Sequence, residues 1–309
     1  KAHYPHVTFG RLSKLLRTGQ IRVDGKRAKA ADRLAAGSVV RVPPLGDLSA
    51  PPPVRERPAF RPEDQAALRE MVLYEDDDIL ILNKPAGLAV QGGSKTHHHL
   101  DGMLQSWSED GPAPRLVHRL DKDTSGVIVL AKTGAAAAHL GKSFYSRAAK
   151  KIYWALVVGV PRAEEGLIKA PLAKEPGARG ERMEVADDGK DAVTRFHVME
   201  VAAKRAAWLA LMPLTGRTHQ LRAHCAHMGC PIVGDGKYGG QDAYLSGSVS
   251  RKLHLHARRL VIPHPRGGTV DVTAPLPPHM AESWAVFDFD PDDRRDPFGD
   301  KRKAKGGAA

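Results

Sequence analysis

Residues 116–132 read LVHRLDKDTSGVIVLAK, and the reading of this stretch decides what the rest of the chain must build. Five ionisable side chains, His118, Arg119, Asp121, Lys122 and Asp123, stand directly before Val127–Ala131, a run apolar enough to be a buried strand. A charged loop that feeds a core strand holds its side chains on a rigid support and leaves them exposed at the strand's end, where reactive groups keep their geometry. If Arg119 and Lys122 also lie near Asp121 in space, they favour its carboxylate form. Taken alone, the stretch is explained as well by a solvated turn as by a reactive site.

The whole chain has 309 residues, enough for two or three domains with a sizeable core. Its hydrophobic fraction of 42% and charged fraction of 27% are those of an ordinary soluble protein. No apolar run approaches the roughly 18 residues of a membrane span, so no membrane partner is expected. The sequence opens Lys-Ala-His-Tyr, with neither Met nor an apolar signal segment, which suggests an N-terminal truncation rather than export. Cys225 and Cys230 are the only cysteines; they supply no disulfide framework and suit a cytoplasmic location. The net charge is +12, and residues 1–42 hold ten Lys and Arg against Asp24 and Asp32. That concentration is the electrostatic footprint of a nucleic-acid contact.

Leu12, Leu15 and Leu16 mark a short amphipathic helix that Gly19 ends, and Asp24-Gly25 sits between two half-strands as a hairpin signal. Seven prolines between residues 43 and 62 read as part of an extended linker over 43–70. A larger α+β domain is expected over 71–290, with helices near AAAAHLGKSFYSRAA and THQLRAHCAHMG. Residues 291–309 are charged and poor in apolar side chains, and are expected to form a disordered basic tail.

A second cluster lies in LTGRTHQLRAHCAHMG, residues 214–229. Thr215-Gly216 stands before an expected helix, whose first N–H groups with Arg217 would suit a phosphate. Arg222 falls in an apolar-leaning segment, and a buried arginine calls for an anionic partner, for which Asp121 is the obvious candidate. His219, His224, Cys225, His227 and Cys230 have the right atoms for zinc but match neither of the common ligand spacings, so no metal is expected. His97–His99, after Gly92-Gly93, reads as a loop. Lys84, in the turn NKPAG, is a candidate phosphate contact, and Tyr153 reads either as a core aromatic or as a site residue.

LVHRLDKDTSGVIVLAK, with NKPAG before it and KKIY, LTGRTHQLRAH, GCPIVGDGKYG and LHARRLVIPHP after it, resembles the RluA-type pseudouridine synthase family over Met71 to Pro278. GLAVQGGS adds a likeness to the RluC-type branch, and RLSKLLRTGQIRVDGKRAKAADRLAAGSVVRV resembles the S4 RNA-binding domain without the first part of its opening helix. The resemblance implies an α+β fold with a mixed, mainly antiparallel sheet and flanking helices, preceded by an S4-like module. It also implies a cofactor-free enzyme acting on large-subunit ribosomal RNA. It places Asp121 on the family's essential aspartate, Tyr153 on the tyrosine that packs against the target base, and Arg222 on the arginine that pairs with the aspartate. Arg119 falls on the arginine that replaces the flipped uridine. His118, Arg217 and Lys84 are further expected RNA contacts, as are Arg11, Lys14, Arg17, Arg22, Lys26 and Arg27 of the basic module. A monomer is expected. Two other readings stay open: a non-catalytic RNA-binding protein of the same fold, and a hydrolase with a metal on the His/Cys segment.

Overall fold

The computed structural model describes residues 7–45, 60–92, 98–108, 111–175 and 182–299. Most of the proline-rich stretch, Gly93 and His97 of the loop, and the end of the tail beyond Gly299 lie outside them. Two units divide the chain, Lys1–Arg57 and Pro58–Ala309.

In the first unit helix α1 spans Phe9–Arg17, opened by the Thr8 side chain accepting the Arg11 N–H and followed by Gly19 at φ +71°. Strands β1 (Arg22–Val23), β2 (Lys26–Arg27) and β3 (Val40–Arg41) form an antiparallel sheet in the order β2-β1-β3. Asp24 and Gly25 both take positive φ, 49° and 79°, so the two-residue hairpin turns with the hand that matches strand twist. Arg11, Lys14, Arg17, Arg22, Lys26 and Arg27 are all exposed. Two have local duties as well: the Arg22 guanidinium donates to the Gly25 carbonyl, and that of Arg27 to the Arg17 carbonyl at the end of α1.

The second unit begins inside the expected linker. Helix α2 (Pro62–Glu70) forms because Pro62 pre-sets the first turn, Glu63 and Asp64 face its positive end, and Leu68 is fully buried. Then come β4 (Val72–Glu75), β5 (Ile79–Lys84), the short α3 (Leu100–Met103), β6 (Arg115–Leu116), β7 (Ser125–Ala131) and α4 (Gly134–Tyr145). They are followed by β8 (Lys150–Val158), β9 (Glu165–Lys169), β10 (Leu172–Lys174), β11 (Met183–Val185), β12 (Val193–Ala202) and β13 (Ala206–Pro213). Helix α5 (Gln220–His227), β14 (Leu255–Pro263), β15 (Thr269–Thr273) and α6 (Pro278–Val286) complete the unit.

The main sheet runs β4-β5-β7-β14-β8-β13-β12-β9, with β15 paired to β14 and β6 to β7. All its pairings are antiparallel except β7 with β14. The expected mixed, mainly antiparallel sheet is therefore present. Strand β7 is buried at every residue because both its faces are covered. Ile128 and Leu130 pack with Leu68 of α2 and Leu100 of α3, whereas Val127 and Val129 pack with Ala136 and Leu140 of α4. Gly126 permits the parallel pairing: its φ is +107°, and a Cβ there would stand 2.2 Å from the Ala257 carbonyl oxygen of β14.

Residues 291–299 of the expected disordered tail are packed rather than loose. Phe298 is buried beside Trp208 and Trp284, and Asp296 accepts from Lys150 at 2.5 Å and Arg259 at 3.2 Å. One aromatic anchor and one paired carboxylate outweigh a polar average composition. Among the described residues no helix is long and apolar enough to cross a membrane.

Candidate active site

The loop that delivers Asp121 is held from both sides. Its buried support is Lys84, 1% exposed at the end of β5, whose ammonium donates to the carbonyls of Pro85 and Leu88 at 2.9 Å and of Lys122 at 3.0 Å. Burial lowers the Lys84 pKa to about 8, against the pull of the Asp123 and Asp121 charges. Lys84 thus clamps the NKPAG turn to the HRLDKDT loop; the phosphate contact expected of it is corrected, since its ammonium is spent on three carbonyls. On the other side His118 accepts the Val129 N–H through Nε2 at 2.9 Å and stacks on Phe144 at 4.5 Å. Burial first, then the nearby charge of Lys151, pushes His118 down to about 3, so it stays neutral. Its ring braces the loop against β7, a role different from the expected RNA contact.

Behind the loop Ser125 Oγ meets His256 Nδ1 at 2.9 Å, and His256 Nε2 lies 3.3 Å from the Ala274 carbonyl. The Thr-Ser-Gly triplet therefore joins two strands in two ways: a hydroxyl–imidazole hydrogen bond and a close backbone approach at Gly126.

Asp121 opens into two adjoining clefts. One, of about 870 Å³, is lined by Arg119, Thr124 and Tyr153 among others; the second, of about 620 Å³, by Lys122, Asp235 and Lys237 among others. Asp121, His219 and Arg222 line both. Tyr153 lies half-buried in the middle of β8, between Leu211 of β13 and Ala257 of β14. Burial, then the negative charge of Asp121, raises its pKa, so the phenol keeps its proton. Arg119 is exposed at the cleft wall.

Arg222 is buried on α5, and its bidentate carboxylate partner is Asp235, at 2.8 and 2.7 Å, with an Asp235 side chain wholly inaccessible. Burial works against the guanidinium's charge; the hydrogen bonds and charge of Asp235, with the charge of Asp121, more than offset it. Arg222 is therefore within electrostatic reach of Asp121 but locked in place by a different acid, one that lies in GDGKYGG and carried no weight in the sequence.

Helix α5 starts at Gln220, two residues later than the motif suggests, because His219 takes the left-handed φ of 51°. The helix start is occupied by its own side chains: Gln220 Oε1 accepts from the Thr215 hydroxyl at 2.7 Å and the Arg217 N–H at 3.1 Å, while its amide nitrogen donates to Val193 O and Thr194 Oγ1 at 3.0 Å. The expected phosphate cradle at Thr215-Gly216 is thus filled from within, and Arg217 stays exposed with its Nε on the Asp191 carbonyl. The turn places His219 Nε2 4.0 Å from Asp121 Oδ1 and His219 Nδ1 2.9 Å from the Tyr238 hydroxyl. Tyr238 also accepts the Met183 N–H, which leaves its own proton available to Nδ1; in that tautomer Nε2 carries the ring proton on the side of the carboxylate, at a separation longer than a hydrogen bond. Burial, then Arg222, lowers His219 to about 4, which keeps the ring neutral. His219 stood in the sequence as a metal candidate, and it and Tyr238 lie in the motifs LTGRTHQLRAH and GCPIVGDGKYG, but neither carried a role at the site. Their signal, a His and a Tyr 19 residues apart, has no local pattern.

His224 cannot serve a metal as arranged, because its two nitrogens lie 2.9 Å from Thr194 Oγ1 and 3.0 Å from the Ala170 carbonyl. No group of three or more His, Cys, Asp or Glu that could hold a metal ion occurs among the described residues.

The mixed sheet with its flanking helices is shared with a known class of protein. The RNA pseudouridylate synthase family model matches residues 78–227. Ribosomal large subunit pseudouridine synthase C of Vibrio cholerae is 38% identical over 276 residues, 87% of this chain and 85% of that protein. The protein of the same name from Escherichia coli K12 is 40% identical over 271 residues, covering 85% and 83%. Among solved structures, human RNA pseudouridylate synthase domain containing 4 superposes with a TM-score of 0.62 at 28% identity, over 72% of this chain and 95% of that one. The chain belongs to the RNA pseudouridylate synthase family, in its RluA-like and RluC-like part. Its chemistry is the isomerisation of uridine to pseudouridine in RNA.

Proposed function

We propose that the protein modifies uridines of large-subunit ribosomal RNA in the cytoplasm, with Asp121 as the group that starts the reaction. The observation that carries the assignment is the position of Asp121. Its carboxylate is 21% exposed on a loop clamped by Lys84 and His118, at the junction of two clefts, with Arg222 and the His219 ring beside it. The names of the relatives support the substrate.

In the reaction the N1–C1′ bond breaks, the uracil turns, C5 bonds to C1′, the C5 proton leaves and N1 gains one. A carboxylate serves either as nucleophile at C1′ or as base for the C2′ proton, without a cofactor. Tyr153 stacks on the freed uracil, and its high pKa keeps it a neutral surface and hydrogen-bond donor. His219 Nε2 stands 4.0 Å from the carboxylate and closes on it when the substrate binds, and Arg222, fixed by Asp235, supplies positive charge at a constant position. Arg119 fills the gap left when the uridine leaves its stack, offsetting part of a cost of a few kcal/mol. The first unit, a helix with a three-stranded sheet and exposed Arg11, Lys14, Arg17, Arg22, Lys26 and Arg27, acts as an S4-like RNA anchor.

The test uses unmodified large-subunit rRNA carrying tritium at uridine C5. Wild-type protein is expected to release tritium to water, and Asp121→Ala to release none while still binding the RNA. Equal release by both would remove Asp121 from the chemistry; no release by either would turn the reading toward a non-catalytic binder.

A further inference from the structure

We propose that Tyr145 and Arg147 form a subsite that stacks an unpaired RNA base neighbouring the target uridine, a proposal that rests on the cleft's being the RNA site. Tyr145 is the last residue of α4 and is 91% exposed, although other side chains of that helix, Ala136, Leu140 and Ser143, are buried. A single exposed apolar side chain means little. This one lines the same 870 Å³ cleft as Asp121 and Tyr153, and so does Arg147 two residues on.

Arg147 adds a second, independent observation. It ends the helix with φ +63°, a left-handed conformation that glycine or asparagine adopts at far lower cost. An arginine kept at a strained position on the wall of a reactive cleft points to work for its side chain.

The helix geometry selects what binds. A helix C-terminus carries the negative end of the macrodipole, which repels a phosphate placed on it. A nucleobase is uncharged, and its face matches the tyrosine ring; an exposed guanidinium provides a further plane for the same base. Only a base freed from pairing shows that face, as expected of nucleotides next to a flipped uridine. Tyr153 would then hold the target base and Tyr145 a neighbour, with the cleft between them.

The probe is a fluorescein-labelled nine-nucleotide oligouridylate, with a second version abasic at both positions flanking the central uridine, and binding is read by anisotropy. Tyr145→Ala is expected to weaken binding of the intact oligonucleotide between roughly fivefold and a hundredfold. Tyr145→Phe, which keeps the ring, should stay within about twofold of wild type. On the abasic oligonucleotide wild type and Tyr145→Ala should bind alike. The subsite is overturned if wild type does not bind the oligouridylate, if Tyr145→Ala binds as wild type does, if Phe fails like Ala, or if the loss persists on the abasic strand. Asp121-dependent tritium release from rRNA reports separately on the underlying reading. Release together with an unaffected Tyr145→Ala would remove the subsite alone; absence of release would remove the basis beneath it.

Discussion

Strands β8 and β13 carry two different environments on their alternating side chains. Trp154 and Trp208 meet edge-on at 4.5 Å, Trp284 of α6 lies 5.6 Å from Trp208, and Met280, Phe289 and Phe298 close the cluster. The residue before Trp154 in β8, Tyr153, belongs to the other side, where Ala155, Leu209 and Leu211 pack under Leu221 and Cys225 of α5. The tryptophan side is largely apolar and held by shape, with Arg258 lying 4.1 Å over the Trp154 ring. The cleft side is dense in charge, and its geometry is held by paired groups, Arg222 with Asp235 and Lys84 with three carbonyls. A rigid apolar layer behind the strand allows polar groups in front of it to be placed to within a fraction of an ångström.

If the two sides divide the work in this way, substitutions should separate them. Asp121→Ala is expected to lower turnover by at least about a thousandfold with little change in melting temperature, because the side chain is partly exposed and its loss opens no cavity. Trp208→Ala is expected to do the reverse. Removing a wholly buried indole costs about 3–5 kcal/mol, read as a drop in the urea midpoint, while the folded fraction keeps its turnover. A Trp208→Ala protein that is stable but slow would break the division, since the tryptophan layer would then be part of the catalytic geometry.

Local and long-range features were also unequally legible in the sequence. HRLD before a run of Val and Ile announces a charged strand end, and Asp24-Gly25 announces its hairpin, because both signals are local and periodic. The partners were not legible: Asp235 reaches Arg222 from 13 residues on, and Lys122 reaches Lys84 from 38 away, contacts that only a folded sheet creates. Pro62, Glu63 and Asp64 did carry the mark of a helix start, but the surrounding prolines masked it. In residues 291–299 the mean composition hid Phe298 and Asp296, each of which acts as one side chain in one place.

His219 gives a finer test on the cleft side. The 4.0 Å from His219 Nε2 to Asp121 is longer than a hydrogen bond; if it tightens on substrate binding it is worth about 1.5–3 kcal/mol, and kcat of His219→Ala should then fall roughly ten- to a hundredfold while RNA affinity is held. His219→Gln keeps an N–H at similar reach and should recover part of the rate, whereas a ring that merely filled space would give Ala and Gln the same deficit. An unchanged kcat in His219→Ala would leave Arg222 and the loop clamp to orient Asp121 by themselves.

The smallest effect concerns the seam between β7 and β14, which both sides share. His256 is wholly buried between Ser125 and the Ala274 carbonyl, and burial lowers its pKa to about 3. An unfolded histidine takes up its proton near pH 6.5, so below that value the unfolded chain binds more protons than the folded one and stability falls with pH. The loss from this residue begins near pH 6.5, reaches about 2 kcal/mol at pH 5 and levels off near pH 3, where the folded state also protonates. Denaturation curves of wild type and His256→Asn at pH 7.5 and 5 should show a smaller pH-dependent drop in the variant by about that amount. Equal drops would place the acid sensitivity in other buried histidines, His118 on the cleft side or His254 beneath α6, and would leave the Ser125–His256 bond as a fixed joint without a titration of its own.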